Sequence, residues 1–437
     1  MAKTDEIHTI SLSFTDLPED AQRCIVSFLT PSDISNFAST AKRFVSLCRD
    51  DPRLWFNMCD RKWGSKTQID KWGNGKISYK LLYNTLLEYE DLIGFWCRNG
   101  AESDSPLIFF EWGPFYVAGS RVKPARTGTY EVIKLPFLWM GITPKGEIVN
   151  YLNPVELSET VMNSDDLGFG VSELVPVNVK FIRKTHVVVK ENGNEFGYLG
   201  NVSNSGNMRE EEYEDLCVSA GSSPDRLMFE IYQYFAKKTG PGGNGSARRQ
   251  RGREGERQRR RLWYPESYVK IANCSPTPAR PLQGLWKGLC NDMILEFFLV
   301  SYDEIGGVAC RRLVDLCFPF STYVPVVWIS NTVSIQSPLS SEEKIIYESR
   351  MHIEPLTETD EPCEILPCSD KREISCMLCL NSSYGSVAVH PRQAEGRIWQ
   401  YENGTFGFGF LRDNYIIDLR CIAQNGQVLE GADFSCE

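Results

Sequence analysis

The sequence predicts an α+β multidomain protein: a small N-terminal helical domain, then a large, mainly antiparallel β-barrel-like domain carrying an inserted helix. Three observations lead there. Residues 11–60 place apolar side chains at i, i+3, i+4 spacing, which gathers them on one face of short helices. Beyond Leu92 the texture changes to short runs of branched and aromatic residues separated by Gly, Pro and Asn clusters. Aromatics make up 12% of the 437 residues, and flat rings suit a pleated, half-buried surface.

The helical part comes first. Leu17-Pro18-Glu19-Asp20 puts a proline at a helix start and acidic residues in the first turn, where unpaired N–H groups and the positive end of the dipole favour both. Ile25, Phe28 and Leu29 share one face. Thr30-Pro31-Ser32-Asp33 breaks that helix and opens the next, in which Ile34, Phe37 and Ala38 repeat the spacing. Phe44, Val45 and Leu47 form a third apolar cluster, stopped by Asp51-Pro52. Residues 61–91 read as a helical linker, with one helix over 76–91 carrying Leu81, Leu82, Leu86 and Leu87.

The β-rich part covers residues 92–437, with strand-like runs at 107–110, 115–117, 186–189 and 293–300. Gly94 before Trp96, Gly284 before Trp286 and Gly396 before Trp399 form a faint internal echo of a tight bend followed by a plugging ring. An inserted helix starts at the Ser223 cap, has Pro224 in its first position and ends at Gly240. Two disordered insertions are expected, at 240–261 and 337–369. The first is Gly- and Arg-rich with almost nothing to bury, and the second is rich in Ser, Glu and Pro. The Arg run over 248–261 reads equally as a nuclear import signal or as a solvated loop, diluted by Glu254 and Glu256.

Charge and motifs exclude several function classes. A net charge of −10 and a pI near 5.2 argue against a nucleic-acid partner, whose phosphates call for a basic surface. The first ten residues lack the pattern of a secretory signal, and no apolar run is long enough to span a bilayer, so no membrane partner is expected. Fifteen cysteines, odd in number and irregular in spacing, suit a reducing cytoplasmic or nuclear setting in which most are small buried hydrophobes. His8, His186, His352 and His390 are scattered, and no glycine motif for a nucleotide is present; the sequence calls for no catalytic residue and no cofactor. Cys363, Cys368, Cys376 and Cys379 are weak zinc candidates. Their second pair has ligand spacing but the first is loose, and strand residues are the better reading of Cys376 and Cys379.

Leu17-Pro18, Ile25, Phe28-Leu29, Asp33-Ile34, Phe37, Arg43-Phe44, Asp51-Pro52 and Leu54-Trp55 together resemble an F-box. A domain that small has apolar residues it cannot cover by itself, and the surplus forms a face for a partner. The resemblance implies that Leu17, Pro18, Ile25, Leu29, Asp33, Ile34 and Phe37 belong to, or support, a surface for a Skp1-type adaptor, and through it a cullin. The pattern departs at Ala21-Gln22, where a large aliphatic residue is more usual. Farther on, Leu92-Ile93-Gly94-Phe95-Trp96, Gln283-Gly284-Leu285-Trp286, Cys376-Met377-Leu378-Cys379 and Gly396-Arg397-Ile398-Trp399 occur in the order found in the F-box-only protein thirty-one family and its plant relatives.

That resemblance implies a non-catalytic substrate-recognition subunit of a Skp1-cullin-F-box ubiquitin ligase, recruiting an unidentified protein for proteasomal degradation. The substrate is expected at one open barrel end framed by turns near residues 111–114 and 402–406, with Trp112, Phe115, Tyr401 and Phe406 as anchors. Arg397 and Arg412 would meet an acidic or carboxyl-bearing signal. The alternative is a calycin-like barrel for a small apolar ligand, with the F-box as a regulatory attachment.

Overall fold

The computed structural model describes residues 13–99, 107–125, 127–153, 174–191, 265–290, 292–302, 307–313, 326–330, 333–336, 339–353, 355, 374–384, 392–424 and 427–428. The expected helix over 223–240, the insertion at 240–261, Cys363 and Cys368 lie outside them. The chain divides into two compact units. One comprises Met1–Leu92, Trp112–Ala118 and Trp139–Asn150, and the other comprises Ile93–Glu111, Gly119–Leu138 and Tyr151–Glu437.

In the first unit, a 3-10 turn (Phe14–Asp16) is closed by a capping box from Ser13. It leads into α1 (Glu19–Val26), α2 (Pro31–Thr40) and α3 (Lys42–Cys48). Thr30 caps α2: its hydroxyl accepts from Asp33 N at 3.2 Å and donates to the Asp33 carboxylate at 2.7 Å. Buried Gln22 donates to the Leu17 carbonyl at 2.7 Å, so the unusual polar residue there pairs a backbone group beside Pro18. Two further helices follow, α4 (Phe56–Trp63) and α5 (Tyr79–Glu90). Asp51 accepts from Tyr79 N and Lys80 N at 2.8 and 2.9 Å and fixes the start of α5. Leu82 and Leu86 are fully buried, with Trp63 edge-on to Tyr83, while Leu81 and Leu87 face outward. Pro114 accepts from Gln68 N at 2.7 Å, and Thr67 donates to the Gly113 carbonyl at 2.8 Å. The helices thus pack with chain from beyond residue 92.

Among the described residues the β part holds two large sheets and a two-stranded ribbon that pairs Ala423–Gln424 with Gln427–Val428. The first is a closed antiparallel barrel in simple sequence order: β1 (Gly94–Asn99), β2 (Leu107–Trp112), β3 (Val117–Pro124), β4 (Val132–Ile142), β5 (Ile148–Leu152), β6 (Val175–Arg183), β7 (His186–Glu191) and β8 (Glu266–Lys270). The pairing of β1 with β8, Trp96 opposite Lys270, closes it and leaves no free edge.

The second sheet has ten strands among the described residues. They include β9 (Gly284–Leu289), β10 (Leu295–Tyr302), β11 (Val308–Arg312), β12 (Val326–Ser330) and β13 (Val333–Gln336). The sheet continues with β14 (Met351–His352), β15 (Ile374–Tyr384), β16 (Arg392–Tyr401), β17 (Phe406–Phe410) and β18 (Tyr415–Cys421). The order is β12-β11-β10-β9-β18-β17-β16-β15-β13, antiparallel throughout that path, with β14 parallel to β18. The Gly-Leu-Trp stretch, expected in the same barrel as Trp96, is the central strand of this second sheet, because β8 and β1 already satisfy one another. Phe95, Cys97, Leu107 and Phe109 on the outside of the barrel share one apolar cluster with Leu285, Leu289, Leu295 and Phe297 of the second sheet.

Two expectations change here. Part of 337–369 is ordered as α6 (Ser341–Glu348), capped by Ser340 and acidic in its first turn. Its carboxylate Glu343 and ring Tyr347 give that polar segment its anchors on β16: an ion pair to Arg397 and a contact of 5.6 Å with the Trp399 ring. Cys97 and Cys421 are each disulfide-bonded, whereas Cys48, Cys59, Cys290 and Cys310 are free thiols in the core.

Candidate functional site

Short helices arranged around a small core leave apolar side chains outside it. Val26, Ile34, Leu47, Leu54 and Trp55 fill that core. Ile25 remains 47% exposed and Phe28 71% exposed, far more than such side chains normally are in a finished interior. Leu17, Leu29 and Phe37 are half-buried, and Pro18 and Asp33 are exposed. Phe37 stacks on Phe44 at 4.4 Å and meets Phe14 edge-on at 5.3 Å. Ile34 has its side chain inside, so it supports the face without forming it. Asp33 serves first as a capping partner of Thr30.

Next to this face lies a cleft of about 430 Å³ lined by Arg23, Cys24, Ser27, Phe28, Asn57 and Arg61 among others. Arg61 donates to Ser27 Oγ at 3.0 Å and to the Ser27 carbonyl, and its guanidinium covers one face of the Phe28 ring at 4.4 Å. The contact holds Phe28 outward in a fixed position. Arg23 in turn is ion-paired with Glu19, Asp20 and Asp50.

The expected substrate residues are divided between the two units. Trp112 and Phe115 are half-buried and belong to the first unit, while Arg397, Tyr401, Phe406 and Arg412 belong to the second sheet and the second unit. Arg397 is committed to Glu343, with N–H groups 3.0 Å from its carboxylate and both side chains about 15% exposed or less. It has no free fork for an acidic signal. Tyr401 is buried and donates to Asp418 at 2.7 Å; Phe406 is fully buried against Trp286 at 4.8 Å. Both are core residues on opposite faces of the sheet, Tyr401 clustered with Trp399 and Ile416 and Phe406 with Ile398 and Phe408, because both faces are covered. Arg412 stays exposed at the turn after β17, near Asp413 and over the Phe410 ring.

Cys376 and Cys379 lie on β15, opposite Gln400 and Arg397. No group of three or more His, Cys, Asp or Glu is placed to hold a metal among the described residues. Burial pushes the Cys59 thiol up to about 12 and the Cys274 thiol up to about 11; Cys290 and Cys310 shift in the same direction, again chiefly by desolvation. These groups are protonated thiols at neutral pH and poor nucleophiles.

Comparison with known proteins adds to this geometry. The F-box-like family model matches residues 14–61, from the 3-10 turn into α4. F-box protein At3g12350 of Arabidopsis thaliana is 44% identical over 427 residues, covering 95% of this chain and 96% of that protein. The chain belongs to the F-box protein family. F-box protein At5g39450 and putative F-box protein At5g39480 of the same plant are 31% and 32% identical over 30% and 25% of this chain, and over 22% and 19% of their own lengths.

In this F-box protein the matched segment contains the whole exposed face, from Leu17 to Phe37, and also Arg61 at its end. Phe28 carries the largest exposed ring of that face. Its place beside Ile25 was visible in the i, i+3 spacing. Its outward direction was not, because that depends on Arg61, distant in sequence and brought close only by the packing of α4. Among the described residues, no helix is long and apolar enough to cross a membrane.

Proposed function

We propose that this F-box protein is the substrate-recognition subunit of a Skp1-cullin-F-box ubiquitin ligase, docking a Skp1-type adaptor and bringing a protein target for ubiquitination and proteasomal degradation. The observation that carries the reading is the exposed apolar pair Ile25 and Phe28 inside the segment that matches the F-box-like family. Covering what these two side chains still expose contributes about 2–3.5 kcal/mol of apolar burial before the costs of association. Leu17, Pro18, Leu29 and Phe37 would extend the contact, with Asp33 at its edge and Ile34 beneath. The subunit acts without its own nucleophile: it holds the target beside a charged conjugating enzyme and raises the effective concentration. The β part would receive the target, with Trp112, Phe115 and Arg412 the accessible members of the expected set. The work would take place in cytoplasm or nucleus.

The test is co-purification of a Skp1-type adaptor and a cullin with the full chain and with its Leu17→Ala/Pro18→Ala variant. The wild type should bring down both proteins and the variant neither, with unchanged far-UV circular dichroism. Equal recovery from the two would remove the assignment.

A further inference from the structure

The barrel formed by β1–β8 has a charged interior. Along β3, Val122 points outward into the apolar cluster shared with the second sheet. Alternation then turns Arg121 and Gly119 into the lumen. Gly119 confirms the direction, since a Cβ there would lie 2.7 Å from the Phe110 ring. Arg121 is only 6% exposed. Its guanidinium sits 4.7 Å from the centre of the Phe137 ring, and Phe137 neighbours Tyr268 at 6.2 Å. Among the described residues it forms no hydrogen bond and no ion pair.

The other lumen charges do not neutralise it. Arg98 is ion-paired with Glu266, and Tyr268 donates to that same carboxylate. The register explains the grouping, because Arg98 lies opposite Tyr268 and Glu266 is on the same face two residues away. Burial, then Glu266, pushes the Tyr268 phenol well up, so it stays neutral. Lys270, half-buried opposite Trp96 with its ammonium 5.8 Å from that ring, adds positive charge rather than removing it. The guanidinium uses its π surface over Phe137, which leaves its five N–H donors available to an acceptor entering the lumen.

We propose that the lumen of the first barrel binds a small organic carboxylic acid with a flat apolar body, its carboxylate received by Arg121 and its body lying among Trp96, Phe137 and Tyr268. The planar fork of Arg121 matches a carboxylate in two parallel hydrogen bonds. The interior of an eight-stranded barrel is wide enough for its own side chains or for one small ligand, and too narrow for a folded partner. The inference is independent of adaptor docking, which uses the other unit.

The test is calorimetric titration of the full chain, purified with its Skp1-type partner, with sodium 2-naphthoate and with its uncharged counterpart 2-naphthamide. The naphthoate should bind about tenfold or more tightly than the amide, as expected for a charge-assisted hydrogen bond in a buried site. Arg121→Met should bring the two affinities together, and Arg121→Lys should keep part of the preference. Equal affinities in the wild type, or no naphthoate binding up to about 1 mM, would overturn the proposal without any variant. A preference that survives in Arg121→Met would equally overturn it, since the anion would then sit elsewhere.

Discussion

Tyr401 donates its hydroxyl to Asp418 Oδ1 at 2.7 Å, and both side chains are 2% exposed. The second carboxylate oxygen lies 2.7 Å from His352 Nδ1, so the same aspartate ties β16, β18 and β14 together. Gly407 makes room for this arrangement, since a Cβ there would stand 2.5 Å from the Tyr401 hydroxyl and 2.8 Å from Asp418 Oδ1. Tyr401→Phe should therefore cost about 1.5–3 kcal/mol of unfolding free energy, the range for a hydrogen bond to a charged group. Gly407→Ala should destabilise the same sheet, and somewhat less than additively with Tyr401→Phe, because the double variant removes the nearest of the three atoms the new methyl would strike. Urea unfolding of the three variants checks both points. An additive pair would show that the clash lies elsewhere.

The docking face yields a contrast between two isoleucines. Ile25 is exposed and Ile34 is buried in the core of the helical unit. Ile25→Ser with Phe28→Ser should leave thermal unfolding nearly unchanged while weakening adaptor binding about thirtyfold or more, the effect of losing an interface anchor. Ile34→Ala should instead lower stability by about 2–4 kcal/mol. Surface plasmon resonance beside thermal melts separates the two. If Ile34→Ala lost adaptor affinity at full stability, Ile34 would belong to the contact itself.

How much of this was legible depended on the range of the interactions. The starts of α1 and α2 could be read from Pro18, Thr30 and Pro31 because capping is local, as the Thr30–Asp33 pair shows. The echo of Gly ahead of Trp was also meaningful. Gly94 and Gly284 each open a strand with positive φ, and Trp96 and Trp286 two residues later are buried. The division into two sheets was not legible, since it rests on β1 finding β8 across a long stretch of chain. The burial of two expected anchors was hidden for the same reason. Turn position suggested exposure for Tyr401 and Phe406, but burial is decided by what the sheet packs against. The partner of Arg397 was out of sight because α6 lay in a segment whose Ser, Glu and Pro content suggested no order.

That partner makes a separate prediction. Arg397 on β16 holds Glu343 in the first turn of α6, at 3.0 Å and with both side chains mostly covered. Arg397→Glu should loosen α6 and cost about 1–3 kcal/mol, with more rapid amide exchange at 341–348. Glu343→Arg combined with Arg397→Glu should restore most of the loss. Hydrogen-exchange mass spectrometry gives the readout. A charge reversal that left exchange over α6 unchanged would mean that Tyr347 on Trp399, not the ion pair, secures the helix.

Lys287 supplies a pH dependence whose sign can be worked out in advance. It is 2% exposed on β9, opposite Arg420 on β18. Burial first, then Arg420, brings its ammonium down from 10.5 to about 8, against a smaller opposing pull from Glu131. Below pH 8 the amine is protonated in both folded and unfolded chains, and the folded state bears the full cost of the buried charge. Between about 8 and 10.5 the unfolded chain binds more protons than the folded one, so stability from this group rises with pH across that window. The rise amounts to about 3 kcal/mol at most, from a shift of this size. Tyr268 and the thiols of Cys59, Cys274, Cys290 and Cys310, all pushed up by burial, act in the opposite direction as their unfolded counterparts ionise, the thiols from about pH 8.5 and the phenol from about pH 10. They are common to wild type and Lys287→Met, so the difference between the two proteins, followed from about pH 7.5 to 9.5, isolates Lys287. Over that interval the wild type should gain stability relative to Lys287→Met, and the variant should be the more stable protein at pH 7.5, where it escapes the cost of a buried charge. Urea midpoints for both proteins at four pH values measure the difference. A gap that stays constant with pH would mean that Lys287 keeps an ordinary ammonium in the folded protein, paired well enough to offset its burial.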